Sequence, residues 1–326
     1  MYVPDFNNTF LRGDKKIKQK YYTFLICLLI IMVQGCSRDN DIKQITFSKK
    51  AAANETEKKS GESPLRIAVG GMTSPREGFV YYKKLLNYIG EKLGRKVEFI
   101  DREDYGAINR MLMNREVDVA FVSSGPYVEG HDEFGLELLA APQVSGETVY
   151  YSYIIVPEDS PVKNLKELRG RSFAFTDPLS NSGTLVPRYM LARMNEKPES
   201  FFKSSYFTYA HDKSIRAVAS GLVDGAAVDS LIWEYENKTD PEFTSKTKII
   251  ERSSPYAIPP VVIRHGIELA LKEKLLHIFL DAHNDEKGGE ILREMMIDKF
   301  VLIDDKSYDS IRKMKQWLYK QGEKKG

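Results

Sequence analysis

The stretch richest in chemistry is Phe175-Thr176-Asp177-Pro178-Leu179-Ser180-Asn181-Ser182-Gly183-Thr184-Leu185-Val186-Pro187. Small hydroxyl and amide side chains lead there into an apolar helix. Ser180 or Ser182 is of the right type to cap it. The first turn of a helix has N–H groups without intrahelical partners, and the helix dipole adds positive potential at that end. Such a terminus attracts an anion. An ordinary capped helix start reads the same way, so the loop gains weight only from what converges on it. His211 is one candidate: an imidazole donates to an anion whether neutral or charged, and a bound anion raises its pKa. A surface histidine is the plain alternative. Asp229 closes the run Val223-Asp224-Gly225-Ala226-Ala227-Val228-Asp229-Ser230. Beside an anion its carboxylate repels unless a proton lies between them; the plain alternative is a salt-bridged acid at a strand end.

Positioning these groups requires alternating strands and helices. Leu65-Arg66-Ile67-Ala68-Val69, stopped by Gly70-Gly71, reads as a strand and its exit loop. A helix with Leu85, Leu86, Ile89 and Leu93 on one face follows and ends at Gly94. Val97-Glu98-Phe99-Ile100 is a second strand, Ile108, Met111 and Leu112 mark a helix, and residues 117–122 are a third strand. This βαβαβ order predicts a parallel sheet with helices on both faces. A second unit starts near Leu165, with a helix at 165–168, a strand at 172–175 and a helix after Gly183. A further helix, carrying Ile215, Val218, Ala219 and Leu222 at i, i+3, i+4, i+7, precedes the strand 223–228. The pattern V-D-x-A-x-V-x-S occurs at 117–124 and again at 223–230. With the repeated order of elements it points to two similar lobes. Asp118 and Asp224 read as structural turn residues. The β-prone runs 150–156 and 260–264 are expected to cross between the lobes, and helices 269–282, 289–296 and 308–318 to finish the chain. Lobe 1 is then residues 64–152 and 258–326, and lobe 2 residues 153–257, with a hinge and a cleft between them. Ligands of parallel sheets bind beyond the carboxyl ends of the strands. That places Ser123, Ser124 and Tyr105 at the cleft from lobe 1, and Asp229, Ser230 and the loop after Phe175 from lobe 2.

The amino terminus is a different kind of segment. Basic residues between Lys15 and Lys20 precede 13 almost wholly apolar residues, 21–33. That is short for a membrane span and suits a secretory leader. The run ends Val33-Gln34-Gly35-Cys36, which resembles the lipobox of bacterial lipoproteins. The expectation is a signal peptide over 1–35, a lipid on Cys36 and a polar tether over 36–63. An uncleaved anchor is the alternative. Cys27 lies inside the leader, and the 290 residues after Cys36 contain no cysteine, which excludes a disulfide framework, a thiolate nucleophile and a Cys-based metal site. The formal charge of the whole chain is +2; outside residues 1–35 it is near −1, with 43 basic and 44 acidic groups. Nothing there argues for nucleic acid.

Taken in order, D-Y-G-A at 104–107 before V-D-V-A-F, the S-x-S-G-x-L-V-P run at 180–187, Ala210-His211-Asp212 and V-D-x-A-x-V-D at 223–229 resemble the phosphonate/phosphite/phosphate-binding proteins of ABC transporters. The similarity runs from about Leu65 to Arg264. It implies an α/β, two-lobed type II periplasmic-binding-protein fold with two hinge crossings and a ligand cleft. It implies that Ser180, Asn181, Ser182 and Gly183 hold the phosphorus oxygens, with His211, Tyr105, Tyr150 and Asp229 around them. Asn181 stands where the family has threonine. Relatives that bind amino-phosphonates carry a carboxylate just before the proline of the second crossing strand; here that position is Pro259, which favours an inorganic anion or an uncharged alkylphosphonate. A carboxylate at Asp229 would select an acidic P–OH and reject sulfate. The expected partners are a small phosphorus oxyanion, an ABC permease with its ATPase, and the membrane through the lipid; the chain is expected to be an exported, lipid-anchored monomer with no cofactor and no metal.

Two other classes remain open on sequence. One is a sensory binding protein reporting to a membrane kinase. The other is a Ser182/His211/Asp229 hydrolase of phosphate esters. No H-E-x-x-H, G-x-S-x-G, P-loop or G-x-G-x-x-G supports an enzyme.

Overall fold

Strand β1 (Leu65–Gly70) is buried on both sides except at Arg66, which pairs with Asp118, as a strand covered on each face must largely be. The structure is a computed structural model that describes residues 63–70, 75–102 and 104–322, with backbone only for 75–81. The leader, Cys36 and the tether up to residue 62 lie outside the described residues. After β1 come α1 (Pro75–Leu93), β2 (Val97–Arg102), α2 (Tyr105–Met113), β3 (Val119–Phe121), α3 (Ser124–Phe134) and β4 (Glu137–Gln143). Helix α1 ends at Gly94, whose φ of +67° is the left-handed conformation that glycine reaches without strain. Helix α2 is capped by Asp104, whose carboxylate accepts from the Ala107 N–H at 3.1 Å.

The chain then leaves through β5 (Val149–Tyr150) and builds β6 (Ser152–Pro157), β7 (Ser172–Phe175), α4 (Val186–Ala192), β8 (Ser204–Phe207), α5 (His211–Ala219), β9 (Gly225–Asp229), α6 (Ser230–Thr239) and β10 (Thr247–Arg252). It returns through β11 (Tyr256–Ala257) to β12 (Val261–Ile263), α7 (Leu269–Asp281), α8 (Glu286–Glu294), β13 (Lys299–Val301) and α9 (Asp309–Lys320). Two main sheets result, with orders β13-β4-β12-β3-β1-β2 and β10-β6-β9-β7-β8. Each has an apolar core on both faces. This is the two-lobed α/β fold expected from the sequence.

Several details differ. The sheets are mixed, because β12 and β6 each enter from the other lobe and run antiparallel to their neighbours β3 and β9. The run 150–156 divides into β5 and β6. The return crossing is β11, paired antiparallel with β5 as Tyr256↔Tyr150 and Ala257↔Val149, while 261–263 is an inner strand of the first sheet. Residues 165–168 form only a 3-10 turn. The helix bearing Ile215 and Val218 stops at Ala219; Gly221 turns the chain at φ +70°, and Leu222 is 76% exposed.

The internal echo is structural. Asp118, just before β3, accepts from the Arg66 N–H of β1 at 3.1 Å; Asp224, just before β9, accepts from the Ser172 N–H of β7 at 2.8 Å. The same residue ties the same pair of parallel strands in each lobe.

Candidate functional site

Strand β7 delivers the chain to Thr176, and the loop that follows is fully buried around Ser180, Asn181 and Ser182. Ser180 caps the next turn, its hydroxyl accepting from the Gly183 N–H at 3.0 Å. The first turn, Asn181–Leu185, is wide, with the Val186 N–H reaching back to the Asn181 carbonyl, and it runs directly into α4. Helix start and cap thus lie before Gly183, the cap position being filled by the first of the two serines. Gly183 is required by contact: a Cβ there would meet Thr176 Oγ1 at 2.4 Å and His211 Cε1 at 3.1 Å. From the other side, the Ser152 hydroxyl donates to the Ser182 carbonyl at 2.6 Å and fixes the loop to β6.

His211 opens α5 and is 0% exposed. Its Nδ1 accepts from the Asp229 backbone N–H at 3.0 Å and lies 3.1 Å from Thr176 Oγ1. With Nδ1 accepting, the ring proton of the neutral imidazole sits on Nε2. Burial pushes the His211 pKa down to about 3, so the ring is neutral. Nε2 is buried and has no partner. It is an N–H donor aimed at a site, and only an acceptor satisfies it.

Asp229 ends β9 and caps α6, with Oδ1 accepting from the Leu231 N–H at 2.8 Å. It is a cap, not the salt-bridged acid that was its plain alternative. Burial pushes its pKa up to about 7, against the pull of the capping N–H groups of Leu231 and Ile232. The carboxyl is therefore poised to hold a proton near neutrality. A hydrolytic triad needs the carboxylate on the histidine Nδ1–H. Here Nδ1 accepts the Asp229 main-chain N–H instead, and that relay is not formed.

The first lobe and the crossing strands complete the cradle. Tyr150 of β5 is buried; its hydroxyl receives Asn181 Nδ2 at 3.0 Å, with Ser124 and Ser182 near it but not hydrogen-bonded to it. Tyr105 opens α2, buried, with its hydroxyl unpartnered and within the field of Asp177, Asp229 and Tyr150. Ser123 is buried at the cap position of α3, where its hydroxyl makes no capping bond. Ser124 donates to the Ala257 carbonyl of β11 at 2.7 Å. The lobes touch here. Asp177 Oδ2 accepts from the Tyr105 N–H at 3.2 Å, its Oδ1 accepts from the Leu179 N–H at 2.7 Å, and a Cβ at Gly125 would meet the Leu179 carbonyl at 2.2 Å.

Contacts and mutual electrostatic influence link Tyr105, Tyr150, Ser180, Asn181, Ser182, Gly183, His211 and Asp229; Ser123 is buried at the start of α3, next to Ser124. The sequence reading left out Asp177, Ser152 and Tyr82. Asp177 stands inside the singled-out loop, but nothing local to it shows that its partner is the N-terminus of α2. Tyr82 lies half-buried beside Asp229, which raises its pKa along with burial. Among the described residues no group of three or more His, Cys, Asp or Glu could hold a metal.

The family described as "ABC transporter, phosphonate, periplasmic substrate-binding protein" matches residues 67–308. The phosphonates-binding periplasmic protein of Escherichia coli (strain K12) is 25% identical over 283 residues, 85% of this chain and 83% of that one. A probable ABC transporter phosphite-binding protein of Prochlorococcus marinus is 28% identical over 167 residues, 49% of this chain and 56% of that one. The solved binding-protein component of an ABC phosphonate transporter from Pseudomonas aeruginosa superposes with a TM-score of 0.74 at 25% identity, over 80% of this chain and 87% of that one. A family match that spans both sheets and both crossings leaves one assignment: the chain belongs to the periplasmic substrate-binding proteins of ABC phosphonate transporters.

Proposed function

We propose that the chain captures a small phosphorus oxyanion, namely phosphate, phosphite or a small phosphonate, between lobes formed by 64–152 with 258–326 and by 153–257. It hands the anion to a permease and ATPase while a lipid on Cys36 holds it at the membrane. The observation that carries this reading is a set of four buried, unpartnered polar atoms around one point: Tyr105 Oη, Asn181 Oδ1, Ser182 Oγ and His211 Nε2. A buried polar group left unpaired costs about 1–3 kcal/mol. A ligand that pairs with them would remove that cost. The hydroxyls and the Nε2–H can donate to the oxygens of a tetrahedral anion, and Asn181 Oδ1, an acceptor, can receive an acidic P–OH. Asp229, close to half-protonated near neutrality, shares one proton with the anion, so an acidic phosphorus oxyanion fits and sulfate does not. Pro259 offers no charge to a ligand ammonium.

Calorimetric titration of the mature chain with phosphate, phosphite, methylphosphonate and sulfate tests the reading. Binding of at least one phosphorus acid, with sulfate far weaker, is the expected result. Sulfate binding as well as any of them would overturn it. The anchor is tested separately: Cys36→Ala should shift the protein from the detergent phase to the aqueous phase, or block processing, and unchanged partitioning and mass would remove the lipid from the account.

A further inference from the structure

A cavity of about 160 Å³ lies against the anion cradle and shares Asp229 with it; Gly70 and Tyr82 also line the cavity. One wall is aromatic and fixed by contact. Tyr82 packs on Phe121 with ring centroids 4.8 Å apart, Phe121 on Phe279 at 5.9 Å, and Phe279 on Phe300 at 4.9 Å. Facing it are Ile232 of α6 and the prolines of the hinge, with Val144 and Met295 at the rim. Two carboxylates also line it: Asp229, whose Oδ1 caps α6, and Glu234, which accepts from the Tyr153 hydroxyl. At the junction with the cradle stands Gly70, the last residue of β1. A Cβ there would lie 3.3 Å from the Phe121 carbonyl and 3.6 Å from the Tyr105 ring, so a larger residue would press on both.

Inorganic phosphate or phosphite has nothing to place in such a space. We propose that the cavity is a substituent pocket, and that the ligand is a tetrahedral phosphorus acid bearing one uncharged apolar group of about four to six carbons. The proposal rests on the phosphorus-oxyanion reading above and adds the substrate class. A buried apolar cavity of about 150 Å³ accommodates a benzene ring, so the volume here fits a butyl or phenyl group. Each methylene moved from water into such a pocket tightens binding roughly four-fold. An ammonium in the same place would lose its hydration against aromatic and aliphatic walls. The apolar group can be joined to phosphorus by carbon, as in a phosphonate, or through oxygen, as in a phosphate monoester. The cavity selects the group, and the cradle selects the acid.

The test is a calorimetric series on the mature chain with phosphate, methylphosphonate, butylphosphonate, phenylphosphonate, phenyl phosphate and 2-aminoethylphosphonate. Butyl- and phenylphosphonate should bind at least about tenfold tighter than methylphosphonate, and 2-aminoethylphosphonate no tighter than it. Phenyl phosphate compared with phenylphosphonate separates the ester from the direct carbon link. Val144→Phe should fill the cavity, removing the gain from the larger group while leaving methylphosphonate affinity within about two-fold; Met295→Phe is a second filling variant should the first fold poorly. If methylphosphonate binds and longer substituents gain nothing, or if 2-aminoethylphosphonate binds tightest, the pocket assignment fails and the anion reading stands. If no phosphorus acid binds at all, both fail.

Discussion

Asp229 and His211 share one strand end and divide the protonation chemistry of the site between them. Both are buried without a charged partner, and burial moves each toward its neutral form: Asp229 up to about 7, His211 down to about 3. The consequences for stability have opposite signs. Between about 4 and 7 the folded Asp229 holds a proton that the unfolded chain releases, so its contribution is present at low pH and lost as pH rises through 7. Between about 6.5 and 3 the unfolded chain protonates His211 and the folded chain does not, so stability falls as pH falls through that window. Asp229→Asn removes the first effect alone. The melting temperature of the variant minus that of the parent, without ligand, should be larger at pH 8 than at pH 4; a difference that does not vary with pH would show that Asp229 is solvated. Binding follows the same proton. A methylphosphonate that has lost its second proton can sit against Asp229 only if the carboxyl is protonated, so affinity should fall by up to about tenfold per pH unit above neutrality. Asp229→Asn keeps the shape and supplies a donor. It should weaken the parent's preferred phosphorus acid through loss of a charged hydrogen bond, about 1.5–3 kcal/mol, flatten the pH profile and improve sulfate relative to it. Equal affinities and equal ranking in the two proteins would remove Asp229 from the site.

At the scale of elements, the cradle is a strand, a capped wide turn and a helix start packed so closely that one glycine decides it. A Cβ at Gly183 would stand 2.4 Å from Thr176 Oγ1 and 2.5 Å from Thr176 Cβ, on a strand end that cannot retreat because the Thr176 N–H is bonded to the Gly183 carbonyl. Gly183→Ala should push Thr176 and His211 apart and cost at least about tenfold in ligand affinity, with a stability loss of about 1–3 kcal/mol typical of overpacking. Titration and thermal melting of the same sample check both numbers; an affinity equal to the parent's would mean that the loop is not the cradle. Much of this element was legible in the sequence, because cap serines, an apolar helix face and a strand ending in Phe175 are local signals. The echo between 117–124 and 223–230 was legible too, and it marked the two strand ends that face the site. What was not legible was relational. Residues 260–264 read as a crossing because a β-prone run after two prolines carries no sign of which sheet it joins; the crossing is the two-residue β11, visible only through its pairing with β5. Leu222 fits the helical period of Ile215 and Val218, yet Gly221 ends the turn first. The parallel sheet inferred from βαβαβ order became mixed because strands arriving from the other lobe run in the opposite direction.

At the scale of the whole molecule, two lobes joined by the paired strands β5 and β11 are expected to open and close on ligand, and Asp177 is placed to act on that equilibrium if they do. Its carboxylate belongs to the second lobe, and one oxygen accepts the Tyr105 N–H at the start of α2 in the first. That N–H belongs to the first turn of a helix, where no intrahelical acceptor exists and the dipole favours a negative group. In an open molecule both would be solvated, so the bond contributes to the closed state. Burial pushes the Asp177 pKa up to about 6, opposed by the two N–H groups it accepts. Protonation leaves the carboxyl a poorer acceptor, so the link weakens as pH falls through that value. Asp177→Ala removes it at every pH. The apparent dissociation constant equals the intrinsic one divided by the closed fraction. Loss of one charge-assisted bond, about 1.5–3 kcal/mol, should therefore weaken ligand binding roughly tenfold or more without touching a group that contacts the anion. Small-angle scattering supplies the second readout. The parent should compact when a saturating phosphorus acid is added, and the variant should remain expanded at ligand concentrations that close the parent and compact only at higher ones. A variant whose scattering midpoint and affinity both match the parent's would show that Asp177 only shapes its own loop, and a parent that does not compact at all would remove hinge closure from the mechanism.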